Sequence, residues 1–253
     1  MTRIRRRISA ALAIALAAAL APTVAAGAGG NHHRCPLPVF GPGDQYHPQI
    51  DRKSFSPNVD NRWFPLSPGT TYVYTGIKDD KKALDVVVVT SRTKKIDGVR
   101  TRVVEDRNYL DNVLSERTSD YYAQDKCGNV WYFGEDTAEL DAHGNVIDTS
   151  GSFHAGVDGA QPGVFMQKHP ELGRRFRQEW FKGEAEDTFK AIDLDAPVRV
   201  RFGSFDHALR TEEKTALEPG VVDNKYYVKG LGEVLEKTVK GGNEHFELVE
   251  VIR

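Results

Sequence analysis

The densest chemistry in the chain is the string KGEAED at 182–187, which places Glu184, Glu186 and Asp187 within four positions. Cleavage of a glycosidic bond needs two carboxyl groups roughly 5 to 9.5 Å apart, one of them protonated as the acid. On an extended strand Glu184 and Glu186 share a face, and Glu135 or Asp158 could bring a partner from elsewhere. Trp131, Tyr132, Trp180 and Phe181 are the rings that could stack on a sugar. Against this stands the ordinary fate of charge runs, a solvated edge paired with Arg174, Arg175 and Arg177.

Other constellations are weaker. The eight histidines form no tight ligand array, and His169-Pro170-Glu171 reads as a turn. Only a spatial convergence of His154, His169 and His207 would make a metal site, so none is assigned, and no cofactor is implied. No Gly-x-Ser-x-Gly elbow occurs. Gly230-Leu231-Gly232 lacks a third glycine and a following helix, so it reads as a turn between strands and not as a dinucleotide loop. Tyr122, Trp131, Tyr132, Trp180 and Tyr226 sit in strand-like runs, where most large aromatics are core. A barrel of eight or more strands can nonetheless leave a ligand-sized interior, and alternation sends one ring of each Tyr-Tyr step inward.

Four arginines within residues 2–7, an apolar run at 8–21 and small residues at 24–28 have the order of a secretory signal. The run is shorter than the roughly 20 residues needed to span a bilayer, so residues 1–28 are expected to be cleaved and the rest secreted, extracellular or in the cell envelope. Losing those four arginines leaves 30 bases against 36 acids, a net charge of −6. Such a surface disfavours nucleic acid and anionic lipid as partners. In an oxidising compartment Cys35 and Cys127 are expected to form a disulfide, closing a loop worth on the order of 4 kcal/mol. It would pin a proline- and glycine-rich arm, residues 29–68, to the domain that follows.

From residue 69 to 253, β-branched and aromatic runs alternate with turn signals. Asp97-Gly98 is the strongest hairpin turn, and 125–128, 143–145 and 241–243 mark others. Only 184–194 could form a short helix, and a strand is as plausible there. The pattern predicts a mostly β fold, a single antiparallel β-barrel or strongly curved meander sheet with an extended N-terminal arm.

Several strings, DYYAQD at 120–125, GNVWYFGEDT at 128–137, AGVDGAQPG at 155–163, KGEAED at 182–187 and Gly203-Ser204-Phe205, resemble those of a group of secreted β-rich proteins from actinobacteria and related bacteria. LEPG at 217–220, Lys225-Tyr226-Tyr227 and Gly230-Leu231-Gly232 belong with them. The resemblance spans most of 58–250 and implies secretion and a β-rich domain, but no activity. Relatives carry Asp where Cys127 stands, an Asp-x-Asp-Gly-Asn turn suited to calcium; here that ligand is missing.

Two functions follow. The favoured one is a monomeric secreted binding protein that holds a small apolar molecule, lipid or glycan segment in its β-barrel cavity, with Trp131, Tyr132, Trp180, Tyr122 and Tyr226 as contacts. The alternative is a secreted glycan hydrolase or lyase using Glu184, Glu186 and Asp187. A partner for envelope assembly, pairing through a strand edge, is a third possibility.

Overall fold

The computed structural model describes residues 36–253. The signal-like segment and Cys35 lie outside the described residues, and with them the cleavage site and one half of the expected disulfide. Among the described residues there are two single-turn 3₁₀ helices and sixteen strands. The first eight strands are β1 (Phe55–Ser56), β2 (Thr71–Lys78), β3 (Lys81–Ile96), β4 (Val99–Leu110), β5 (Val113–Asp125), β6 (Val130–Leu140), β7 (Val146–Asp148) and β8 (Phe153–His154). Then follow β9 (Gln161–Met166), β10 (Arg175–Arg177), β11 (Glu179–Trp180), β12 (Thr188–Val200), β13 (Gly203–Lys214), β14 (Val222–Val228), β15 (Gly232–Lys240) and β16 (His245–Ile252). Among the described residues no helix is long and apolar enough to cross a membrane.

The strands hydrogen-bond in the order β10-β12-β13-β14-β15-β16-β2-β3-β4-β5-β6-β9-β11. All the pairings between these strands are antiparallel, so the expected meander is borne out and curls into a nearly closed barrel. Its two edges, β10 and β11, are neighbours in sequence, separated by Gln178 alone. One extended segment, 175–180, therefore changes partner at its midpoint. Phe176 pairs with Phe189 on β12, while Glu179 pairs with Pro162 on β9. We call this the seam. Gly163 lies so close beneath it that a Cβ there would stand 2.3 Å from the Gln178 backbone. The segment 184–194, open to either reading from sequence, begins as a turn and continues as strand β12.

Two of the hairpin turns lie together at one end of the barrel, which we call the hairpin end. Asp79 and Asp80 join β2 to β3, and Asp111 and Asn112 join β4 to β5, all with positive φ (52°, 59°, 49° and 68°). Asp and Asn tolerate this left-handed region better than other side-chain-bearing residues, and two such residues give the primed turn whose twist matches the strands. The opposite end is plugged by residues 59–66. Val59 bridges to Leu66, the Gly230 amide donates to the Arg62 carbonyl at 2.6 Å, and the Tyr72 hydroxyl donates to the Pro65 carbonyl at 3.3 Å.

Two apolar cores result from strand alternation. The larger runs through the barrel interior and the plug, including Trp63, Tyr72, Tyr122, Tyr132, Leu209 and Leu248. The smaller lies on the outer face of the sheet, where Val103, Tyr121, Trp131, Phe133, Phe176 and Phe189 are covered by Leu37, Ile50 and Phe55 of the N-terminal arm. Arg177 ties arm to seam: its guanidinium donates to the Gly41 carbonyl at 2.9 Å and lies 4.6 Å from the Trp180 ring. Trp180 in turn occupies the space where a Cβ on Gly43 would be, 1.9 Å from its ring; only glycine fits there.

Candidate functional site

The barrel encloses a cavity of about 470 Å³. Most of the lining side chains are inward members of alternating strands. β3 contributes Asp85 and Val87; β4 Val104, Asp106 and Asn108; β5 Glu116, Asp120 and Tyr122; β6 Tyr132 and Glu135. The seam supplies Glu179, the turn before β12 supplies Asp187, and β13 to β15 supply Glu213, Lys225, Glu233 and Glu236. Lys78, Glu244 and Phe246 complete the wall toward the hairpin end. Eleven carboxyl groups thus face two lysines.

The cavity has a polarity along its axis. Against the plug it has an aromatic floor: Tyr122 stacks on Tyr132 with centroids 4.7 Å apart, and Phe165 lies 4.6 Å from Phe64 and 5.0 Å from Tyr122. Above the floor, the carboxyl groups ring the walls. The Tyr132 hydroxyl donates to Asp120 at 2.5 Å, joining the two layers.

Electrostatics differ from wall to wall. On β13–β15 the Lys225 ammonium stands 3.4 Å from Glu236, 3.7 Å from Glu213 and 3.9 Å from Glu233. Burial works against its charge, but Glu236, Glu233 and Glu213 outweigh that and hold the ammonium protonated. At the hairpin end Lys78 stands 3.6 Å from Glu116. The other acids make no ion pair among the described residues. Burial pushes Asp120 up to about 7, and the Asp106 charge adds to it. Burial raises Glu233 to about 8 and Glu244 to about 7, against the pull of Lys225 and Lys78 respectively. Asp85 is held well above the carboxylate range by burial and then by the Asp106 charge, and the two side chains share a hydrogen bond. Glu135 and Glu179 are likewise raised, first by burial and then by the charges of Asp120 and Asp187 respectively.

The sequence-derived residues divide cleanly. Tyr122 and Tyr132 line the cavity. Trp131 points to the other face, into the outer core, with its indole N–H on Asp125 at 3.1 Å. Trp180 lies under the arm, and Tyr226 packs from outside the lining. Of the acidic trio only Asp187 reaches the cavity. Glu184 and Glu186 do not share a strand face: residues 181–185 close a tight turn through paired Phe181–Ala185 backbone bonds of 2.6 and 2.8 Å. That turn leaves Glu184 exposed, and Glu186 accepts from the Gly183 amide at 2.9 Å. Glu135, raised only as a distant partner, does line the cavity; Asp158 sits in an exposed turn. His154 pairs with Asp136 at 2.9 Å and His207 with Asp195 at 2.6 Å, so they do not converge with His169, and no metal-binding group forms among the described residues. At the turn resembling a calcium loop, both Asp125 oxygens are spent on that hairpin, accepting from the Cys127 and Asn129 amides at 2.9 Å and from the Asn129 side chain at 2.9 Å.

The inward acids Asp85, Asp106, Glu116, Asp120, Glu179, Glu213 and Glu233 went unread in the sequence. Their signal was faint but present: single acids embedded in β-branched or aromatic strand runs, such as Asp85 beside Val86 to Val89.

No family model matches the chain, and no curated protein matches it. Two solved structures are similar. One is a protein named as exported, with a YmcC-like fold, from Bacteroides fragilis, at 13% identity and TM-score 0.40, covering 76% of this chain and 99% of that one. The other is a protein named as a lipoprotein from Parabacteroides distasonis, at 9% identity and TM-score 0.39, covering 75% and 98%.

Proposed function

We propose that the protein is an exported binding protein whose barrel cavity takes a small organic cation with an apolar body. The observation that carries this reading is the lining itself, eleven carboxyl groups to two lysines above an aromatic floor. An apolar molecule or lipid would have to desolvate those carboxyl groups without giving them partners, a cost of about 1–3 kcal/mol for each group left unpaired. An ammonium or guanidinium supplies both the charge and the N–H donors. Tyr122, Tyr132 and Phe165 would cover the apolar part, with cation–π attraction worth about 0.5–2 kcal/mol.

The test is calorimetry at pH 8 with hexylamine, hexanol and hexanoate, which share one apolar chain. Binding of the amine alone is the expected result. Equal binding of hexanol would leave a merely apolar pocket, and no binding of the amine at millimolar concentration would end the reading.

Export on the N-terminal signal, kinship with the secreted actinobacterial-type group and a Cys35–Cys127 disulfide belong to the same proposal. N-terminal sequencing of exported protein and non-reducing peptide mapping test the first and last of these. The hydrolytic alternative now rests on Asp187 with Glu179 or Glu135. It requires glycan cleavage that is lost in Asp187→Asn and Glu179→Gln.

A further inference from the structure

The two lysines do not serve the cavity evenly. Lys225 neutralises the β13–β15 wall and Lys78 the hairpin end. Of the carboxyl groups left with no ion pair among the described residues, two groupings stand on different walls, with Asp120, hydrogen-bonded to Tyr132, between them. One is Asp85 with Asp106, on β3 and β4; the other is Glu135 with Glu179 and Asp187, at β6 and the seam. In the sheet order β5, β6 and β9 lie between β4 and the seam, and the Tyr122–Tyr132 stack belongs to that intervening stretch.

A second observation marks the β3–β4 grouping as a place for a donor. Asn108, 8% exposed, is the cross-strand partner of Asp85. It lines the cavity, and its side-chain oxygen is buried with no hydrogen-bond partner. Buried acceptors of this kind are nearly always satisfied in folded proteins, so a ligand N–H is the natural complement. Lys225 shows what these walls do with an ammonium: three carboxyl groups gather around it within 3.9 Å.

We infer that the cavity's ligand is a dication, a linear diamine or polyamine, with one ammonium at Asp85, Asp106 and Asn108 and the other at Glu135, Glu179 and Asp187. Its methylene chain crosses the face of Tyr122 and Tyr132 between the two. This rests on the cation-binding reading and narrows it to a class.

The experiment is a calorimetric series on the full exported chain at pH 8, comparing α,ω-diamines of four to twelve carbons with monoamines of equal length. The expected result is that the best diamine binds at least tenfold more tightly than its monoamine. Asp85→Asn and Glu179→Gln should each cut diamine affinity about tenfold while changing monoamine affinity less than threefold. Each swaps a carboxyl group for an amide of nearly the same shape, and far-UV circular dichroism confirms the fold of each variant before titration. Equal affinity for diamine and monoamine would overturn the dication assignment and leave cation binding standing. Failure of every amine would overturn both.

Discussion

Asp120 and Tyr132 show how finely the cavity's chemistry is set by single atoms. Burial and the Asp106 charge push Asp120 up to about 7, while the Tyr132 hydroxyl, donating at 2.5 Å, favours the ionised form and restrains the rise. In Tyr132→Phe the ring stays in its stack on Tyr122, but the donor is gone. Asp120 is then expected to titrate above its present value, and stability to fall by about 1–2 kcal/mol. A side-chain carboxyl NMR titration reads the first and a thermal melt the second; an unmoved Asp120 would show that the hydroxyl does not govern it. At this scale the sequence was half legible. Alternation predicted that one ring of each Tyr-Tyr step turns inward, and Tyr122 of the Tyr121-Tyr122 step does. It could not say which, because the β5–β6 pairing shifts register between Asp120 and Tyr122. The same irregularities hid the inward acids, since an acid on a strand reads as solvent-facing unless register is known.

Local turn chemistry made the elements readable. Asp97-Gly98 closes β3 onto β4 as expected, with φ of 45° and 80°. Asp125 to Asn129 and Asp141 to Asn145 are twins: in each, the aspartate accepts from amides two and four residues ahead, and the glycine amide closes on the aspartate carbonyl at 2.9 Å. The seam was not legible. A six-residue segment that leaves β12 for β9 at Gln178 has no local sequence signature, because its pairing depends on partners on both sides of the barrel. Its weak point is Gly163, over which the backbone of Arg177 and Gln178 passes within 2.4 Å of any added Cβ. Gly163→Ala must push the seam off β9. The expected cost is about 1–3 kcal/mol, with faster amide exchange at Glu179 and Trp180 while β2–β5 stay protected. A melt unchanged from the parent would mean that the seam yields without loss and that the barrel closes more loosely there.

Over the whole molecule, the interior acids make stability depend on pH in an unusual sense. Asp120 rises from 3.8 to about 7, Glu233 from 4.5 to about 8 and Glu244 from 4.5 to about 7. Between those limits the folded state holds protons that the unfolded chain has released, and each excess proton lowers unfolding free energy by about 1.4 kcal/mol per pH unit. Their contribution is therefore complete below about pH 4 and is lost as pH climbs to 8. Glu212 acts oppositely: burial opposes its charge, but Lys214, Lys190 and Arg175 together bring it down to about 2. Its contribution is lost as pH falls from about 4.5 toward 2. The two trends place the maximum near pH 4 to 5, below the neutral range where most folded proteins are steadiest. Thermal melts from pH 3 to 9 should trace that maximum, with the melting temperature falling steadily from pH 5 to pH 8. A cation in the cavity stabilises the ionised carboxylates, so saturating diamine should flatten the alkaline side and leave the acid side unchanged. A melting profile that rises from pH 5 to 8 without ligand would mean the interior acids are solvated as freely as surface ones, and the cavity would then have no electrostatic reason to seek a cation.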